Sequence, residues 1–218
     1  MMQVHAGYGP FRRWRNAALA LAVMLVTLAA HGVLAAPLRI LALGDSLTAG
    51  YNLPADASFP AQLEKALREK GVQAQVINAG VSGDTTAGGL ARLDWALADR
   101  PTHALVALGA NDMLRGLPPE EARANLDRII TRLKQENVKV MLVGMLAAPN
   151  LGADYGKRFN PIYPDLAKKH DVPLYPFFLD EVANNPKLNL GDGIHPNREG
   201  VATMVRKMLP QILGFLGA

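Results

Sequence analysis

The chain contains no cysteine. That excludes a thiol nucleophile, a disulfide scaffold and every cysteine-based zinc site. It leaves the redox compartment open. Serine is scarce, with Ser46, Ser58 and Ser82 the three in 218 residues. Histidine is scarce too, at five, so few nucleophile–base pairs can be drawn. Neither G-x-x-x-x-G-K-[ST] nor G-x-G-x-x-G occurs, so the usual phosphate-cradling signatures are missing. Acidic residues are absent from the first 35 positions, where Arg12, Arg13 and Arg15 lie. Without those three arginines, Lys and Arg number 20 against 19 acids, and the net charge falls from +4 to +1. The basic pI of 9.4 therefore belongs to one end of the chain, and the electrostatic case for a nucleic-acid partner disappears. What is present is a globular composition, half hydrophobic and one-fifth charged. Bulk disorder is excluded, and the length suits one domain with a core of its own.

The basic start runs into Ala17–Ala30, 14 residues whose one polar side chain is Thr27. His31 and Gly32 end that run, and Val33-Leu34-Ala35 places small residues for cleavage. This is the order of a secretory signal, and 14 residues fall short of the ~20 that a membrane span needs. Residues 1–35 are therefore expected to be a cleaved signal peptide, the competing reading being an uncleaved anchor. The mature chain would begin near Ala36 or Pro37. Residues 36–218 are expected to be a single domain, periplasmic or secreted, with no stable membrane insertion.

From Leu38 onward, apolar runs alternate with helical patterns. Leu38–Leu43, Val72–Ile77, Ala104–Leu108, Val138–Val143 and Val172–Phe177 read as buried strands. Helices are expected from Ser58-Phe-Pro60 to Gly71 and after Asp84, carrying Leu90, Leu93, Trp95 and Leu97. Others are expected from Pro118-Pro119 to Asn137, over Tyr155–His170 with breaks at Pro161 and Pro164, and over Arg198–Leu216. Such alternation predicts an α/β fold: a three-layer α/β/α sandwich around a five-stranded parallel sheet. Pro173 and Pro176 make the last strand an edge candidate.

Ligands of such sheets sit beyond the carboxyl ends of the strands. Those positions read Gly44-Asp45-Ser46, Asn78–Asp84, Gly109-Ala110-Asn111-Asp112, Ala147–Asn150 and the late loop Gly191–Pro196. A serine nucleophile needs a base, and the base needs an orienting group. Ser58 is better placed as a helix N-cap, His170 closes a helix beside two lysines, and His103 opens the third strand at the opposite rim. Ser46 or Ser82 remains, with His195. Asp192 is three residues before His195, so one loop can present an imidazole and its orienting carboxylate. The G-x-S-x-G nucleophile elbow fails at both serines.

Gly44-Asp45-Ser46-Leu47, Gly80 within Asn78–Asp84, Gly109-Ala110-Asn111-Asp112 and Asp192-Gly193-Ile194-His195-Pro196 together resemble the four blocks of the GDSL, or SGNH, hydrolases. They occur in the family's order and span about residues 38–205. Gly83–Thr86, Gly89–Leu93 and Asp192–Arg198 are similar to the bacterial periplasmic arylesterase, acyl-CoA thioesterase and lysophospholipase group. The resemblance implies a flavodoxin-like fold without metal or cofactor. It implies Ser46 as nucleophile, His195 as base and Asp192 as its orienting acid. The oxyanion donors would be Ser46, Gly80 and Asn111. Asp45 is expected to brace the nucleophile turn and Asp84 to cap its helix. Met113, Leu114, Arg115, Gly116 and Leu117 are expected to form a mobile wall for an acyl chain, with Leu146 and Pro149 adding apolar surface. The expected activity is hydrolysis of aryl esters, acyl thioesters or lysophospholipids by a monomer whose partner is a small-molecule or lipid ester. The competing reading is a non-catalytic module that holds a small anion or nucleotide on backbone amides.

Overall fold

The computed structural model describes residues 38–218, together with Met1 and Gln3. The signal expected over residues 1–35 therefore lies outside the described residues, those two apart. Leu38–Gly44 (β1) is apolar except for Arg39, and its last five residues are buried. It is the second strand of a five-stranded sheet of order β2-β1-β3-β4-β5. The others are Ala74–Gly80 (β2), His103–Ala107 (β3), Lys139–Val143 (β4) and Leu174–Tyr175 (β5). Every pairing is parallel. Parallel neighbours need crossovers, which the helices supply.

After the four-residue helix Ser46–Ala49 (α1), Phe59–Glu69 (α2) links β1 to β2. Thr86–Ala91 (α3) and Leu93–Leu97 (α4) follow β2, and Ala110–Leu114 (α5) and Pro119–Gln135 (α6) follow β3. Ala153–Phe159 (α7) and Ile162–His170 (α8) follow β4, and Arg198–Leu216 (α9) ends the chain. Helix α9 packs on α2, whereas α6 packs on α3 and α8, giving one helix layer on each side of the sheet. Leu126, Ile129, Ile130 and Leu133 of α6 are fully buried, as their helical spacing requires.

Several boundaries differ from the sequence pattern. Strand β2 starts two residues later than expected and runs on to Gly80, because its ladder with β1 continues through polar Asn78. Strand β5 shrinks to two residues between Pro173 and Pro176; it is the edge strand, as those prolines suggested. The helix expected after Asp84 is two helices meeting at Arg92. Trp95 leaves the apolar face formed by Leu90, Leu93 and Leu97 and is 75 % exposed. The segment Tyr155–His170 breaks at Pro161, while Pro164 fits in the first turn of α8, where no intrahelical donor is needed. Ser58 does sit at the N-cap of α2, but its hydroxyl donates to the Ala55 carbonyl instead of accepting from the helix.

One buried contact ties the helix layer to the loop that carries Asn111. The Tyr163 hydroxyl donates to the Leu108 carbonyl at 2.9 Å. Burial pushes that phenol well above its usual pKa, so it stays a neutral donor. Tyr163→Phe should strand a buried carbonyl and lower stability by ~1–3 kcal/mol. The check is the urea midpoint, which should fall without a change in slope; an unchanged midpoint would contradict the contact's role.

Candidate active site

The carboxyl end of β1 turns directly into α1. Asp45 is the N-cap of this helix: its carboxylate accepts from the Leu47 N–H at 3.0 Å. The cap fixes Ser46 as the first helical residue, with its own N–H free of any acceptor among the described residues. From the far end of the chain, the 188–197 loop closes on itself. The Leu190 N–H donates to the His195 carbonyl at 2.7 Å and the Asn197 N–H to the Leu188 carbonyl at 2.9 Å. Within it, Asp192 Oδ1 accepts from the N–H groups of Ile194 and His195, at 2.9 and 3.0 Å. Asp192 Oδ2 meets His195 Nδ1 at 2.8 Å, and His195 Nε2 meets Ser46 Oγ at 3.0 Å. Ser46, not Ser82, thus contacts the imidazole; Ser82 is exposed on the turn after β2.

The two acids beside this line have opposite environments. The His195 and Ile194 N–H groups, followed by the imidazole, hold Asp192 down to about 2. It is ionised at any working pH. Asp45 is buried, 1 % exposed, and burial raises it to about 6 against the opposing Leu47 N–H bond. The expected brace is therefore present, and its carboxylate is kept poorly solvated.

Asn111 lies in α5. Its Nδ2 donates to the Asp84 carbonyl at 2.9 Å and makes a longer contact of 3.3 Å with Asp45 Oδ2. Next to it, buried Asp112 accepts from both the N–H and the hydroxyl of Thr86, at 2.8 and 2.6 Å. That pair pins α5 to the start of α3, so Asn111 is held from two sides. The expected Asp84 cap is not observed. Thr85 caps α3, and Asp84 instead pairs at 2.6 Å with Arg92, the residue that closes the far end of that helix.

Gly80 requires a correction. Its N–H donates to Asn78 Oδ1 at 3.0 Å, and a Cβ there would run into the backbone of Ala49 and Asp45. Glycine is needed so that β2 can approach α1, not to offer a donor. The turn just after β2 supplies another glycine. Gly83 has φ +82, which favours glycine, and its N–H has no acceptor among the described residues. Its carbonyl accepts from Arg115 at 2.6 Å, which places it beside α5. The resemblance pointed to Gly80; the structure shows its N–H engaged by Asn78 and the Gly83 N–H without an acceptor among the described residues.

A cavity of about 150 Å³ opens beside Ser46 and His195. Leu47, Ala110, Met113, Leu114, Met145, Leu179 and Ile194 give it apolar walls. Of the expected wall residues, Met113 and Leu114 border it. Arg115, Gly116, Leu117, Leu146 and Pro149 do not. Arg115 is drawn to Gly83, the Leu117 carbonyl accepts from Tyr155, Leu146 is exposed, and Pro149 opens a separate turn. Tyr51 was not anticipated: its ring lies 4.3 Å from that of His195, tilted by 33°. The Tyr51 N–H is bonded to the Ser46 carbonyl, so α1 delivers both the serine and the ring that covers the imidazole. The other two histidines among the described residues lie elsewhere. His103 is buried against Phe215 and His170 bonds Asp127. Among the described residues no group of three or more His, Asp or Glu could hold a metal ion.

The environment of Asp45 has a measurable consequence. Its folded pKa of about 6 lies above the reference 3.8, so the native state binds this proton more tightly than the unfolded chain does. Stability from this group is greatest at low pH and declines as pH rises from about 4 to 6. Asp45→Asn keeps an acceptor for Leu47 and should raise stability at pH 7.5 by on the order of 1–3 kcal/mol. The gain should shrink toward pH 4 in thermal melts; a gain independent of pH would contradict this assignment.

With this geometry established, comparison with known proteins places the chain. Residues 42–202 match the model of the GDSL-like Lipase/Acylhydrolase family. An arylesterase of Vibrio mimicus is 44% identical over 162 residues, which cover 74% of this chain and 81% of that protein. Thioesterase 1/protease 1/lysophospholipase L1 of Escherichia coli K12 is 42% identical over 174 residues, 79% of this chain and 82% of that one. Among solved structures, AlinE4, an SGNH-hydrolase family esterase, is similar with a TM-score of 0.71 and 48% identity, covering 85% of this chain and all of its own. The chain belongs to the GDSL-like lipase/acylhydrolase family.

Proposed function

We propose that the chain is a serine esterase that hydrolyses carboxylic ester or thioester bonds of acyl substrates through an acyl-enzyme on Ser46. The observation that carries this reading is the unbroken line from Asp192 through His195 to Ser46 Oγ. With its Nδ1–H donated to ionised Asp192, the imidazole presents an unprotonated Nε2 to the serine hydroxyl. Ser46 Oγ attacks the substrate carbonyl carbon while Nε2 takes the hydroxyl proton. The carbonyl oxygen becomes an oxyanion. Collapse breaks the bond to the leaving oxygen or sulfur, which receives the proton from Nε2. Water repeats the cycle on the acyl-enzyme and releases the carboxylic acid.

The donors for the oxyanion would be the Ser46 N–H, the Gly83 N–H and the Asn111 side-chain amide. A neutral amide suits this task because it stabilises negative charge without titrating. Asn111 already gives one N–H to Asp84. Its other N–H makes only the long contact to Asp45 and can turn to the substrate. The apolar cavity would take the acyl side of the ester, and exposed Leu114 and Ile194 at its mouth offer further apolar surface.

The activities named for the similar proteins, arylesterase and thioesterase/lysophospholipase, support the same substrate classes here. Anion binding as the sole function is disfavoured by charge, since carboxylates at positions 45 and 192 flank the serine. We assign the protein to the periplasm or the extracellular space, on the signal-like residues 1–35 and the bacterial source of its relatives. No helix among the described residues is long and apolar enough to cross a membrane.

A fluorophosphonate should label Ser46 alone, and peptide mapping should find nothing on Ser82. Ser46→Ala and His195→Ala should each lower nitrophenyl-ester turnover by at least ~10³-fold. Asn111→Ala should lower kcat by about 10²- to 10³-fold with little change in KM. Label on Ser82, or full turnover by Ser46→Ala, would overturn the reading.

A further inference from the structure

We propose that Arg92 is a positioning residue for hydrolysis at Ser46, its guanidinium bridging the Gly44 carbonyl and the Asp84 carboxylate so that nucleophile and oxyanion amide keep a fixed separation. The inference rests on the reading of Ser46 as nucleophile. Arg92 sits at the junction of α3 and α4, where the helical pattern breaks. Its Nε donates to Asp84 Oδ2 at 2.6 Å, and its Nη2 donates to the Gly44 carbonyl at 2.9 Å. Gly44 is two residues before Ser46. The main-chain carbonyl of Asp84 accepts from Asn111 at 2.9 Å. One planar group therefore joins the β1 turn to the β2 loop, and the β2 loop holds the amide of the β3 loop.

The pair is mostly removed from water, with side-chain exposures of 18% and 17%. As a device for stability it is poor, because Arg92 Nη1 is buried without an acceptor and an unmatched buried donor is costly. As a device for geometry it is good. Arginine offers two N–H groups in a rigid fork, whereas lysine offers a single rotating ammonium that cannot hold both acceptors in the same way. A shift of the nucleophile turn relative to Asn111 would leave substrate binding nearly intact and misplace the oxyanion.

The test measures kcat and KM on a nitrophenyl ester for Arg92→Lys, Arg92→Met, Asp84→Asn and the Arg92→Met/Asp84→Asn double variant. Rates are taken per site titrated with fluorophosphonate, so that unfolded protein does not count. Arg92→Met should lower kcat about 10- to 100-fold with KM within about twofold, and Arg92→Lys should recover part of the loss. Asp84→Asn should also lower kcat, and the double variant should lose less than the two single losses multiplied. Wild-type kcat in folded Arg92→Met, or independent multiplication of the two losses, overturns the proposal. Should Arg92→Met fail to fold, wild-type kcat in both Arg92→Lys and Asp84→Asn overturns it. Failure of wild-type Ser46 to titrate would instead overturn the nucleophile reading, a distinguishable result.

Discussion

The site depends on one hydrogen bond, between Ser46 Oγ and His195 Nε2, that joins residues 149 positions apart. Neither partner could find the other from local structure. The sheet makes the meeting possible: five parallel strands end on one rim, and the turn after β1 lies beside the loop that precedes α9. Order in each partner comes from its own short-range bonds. Asp45 caps the four residues of α1, and Asp192 accepts from two successive N–H groups of its own loop. The long-range bond therefore joins two pieces that are already stiff, which is what a pre-organised site requires.

The same two acids show how one site holds two carboxylates in different states. Asp192 stands in water with three donors and is ionised down to about pH 2. Asp45 is buried with weaker compensation and titrates near 6. The burden of burying it is tolerated because its cap defines the nucleophile turn and its second oxygen lies beside Asn111. Charge placed there stabilises nothing about the oxyanion. It would oppose one, so the three proposed donors would have to outweigh it.

Much of this was legible before any coordinates. The apolar runs located all five strands, since a strand buried on both faces needs continuous hydrophobicity. The boundaries of α9 match their sequence reading because Asn197 caps one end and Gly217 the other. Scarcity narrowed the candidates to Ser46 or Ser82 with His195 and its neighbour Asp192, and the resemblance of Gly44–Leu47 to the first family block singled out Ser46. What stayed hidden lacks a hydrophobic or compositional signature. Strand β2 continues through Asn78 by main-chain pairing alone. Gly80 ends β2 and Gly83 lies three residues on in the turn that follows, and only the bonded N–H of one and the left-handed backbone of the other separate them. Tyr51 and Arg92 act across space, through a ring contact and a two-acceptor bridge that no local spacing encodes. Of the wall expected at residues 113–117, Met113 and Leu114 border the cavity, while Arg115 turns to the Gly83 carbonyl.

The central claim is spatial: the serine at position 46 reacts at a point served by three donors from three different strand ends. A crystal structure of the protein inhibited by an alkylphosphonate tests it most directly. Phosphorus should be bonded to Ser46 Oγ. One phosphonyl oxygen should lie within ~3.2 Å of the Ser46 N–H, the Gly83 N–H and Asn111 Nδ2, with His195 Nε2 on the opposite side. A phosphonyl oxygen that faces solvent, or meets Gly80 in place of Gly83 and Asn111, would contradict the account.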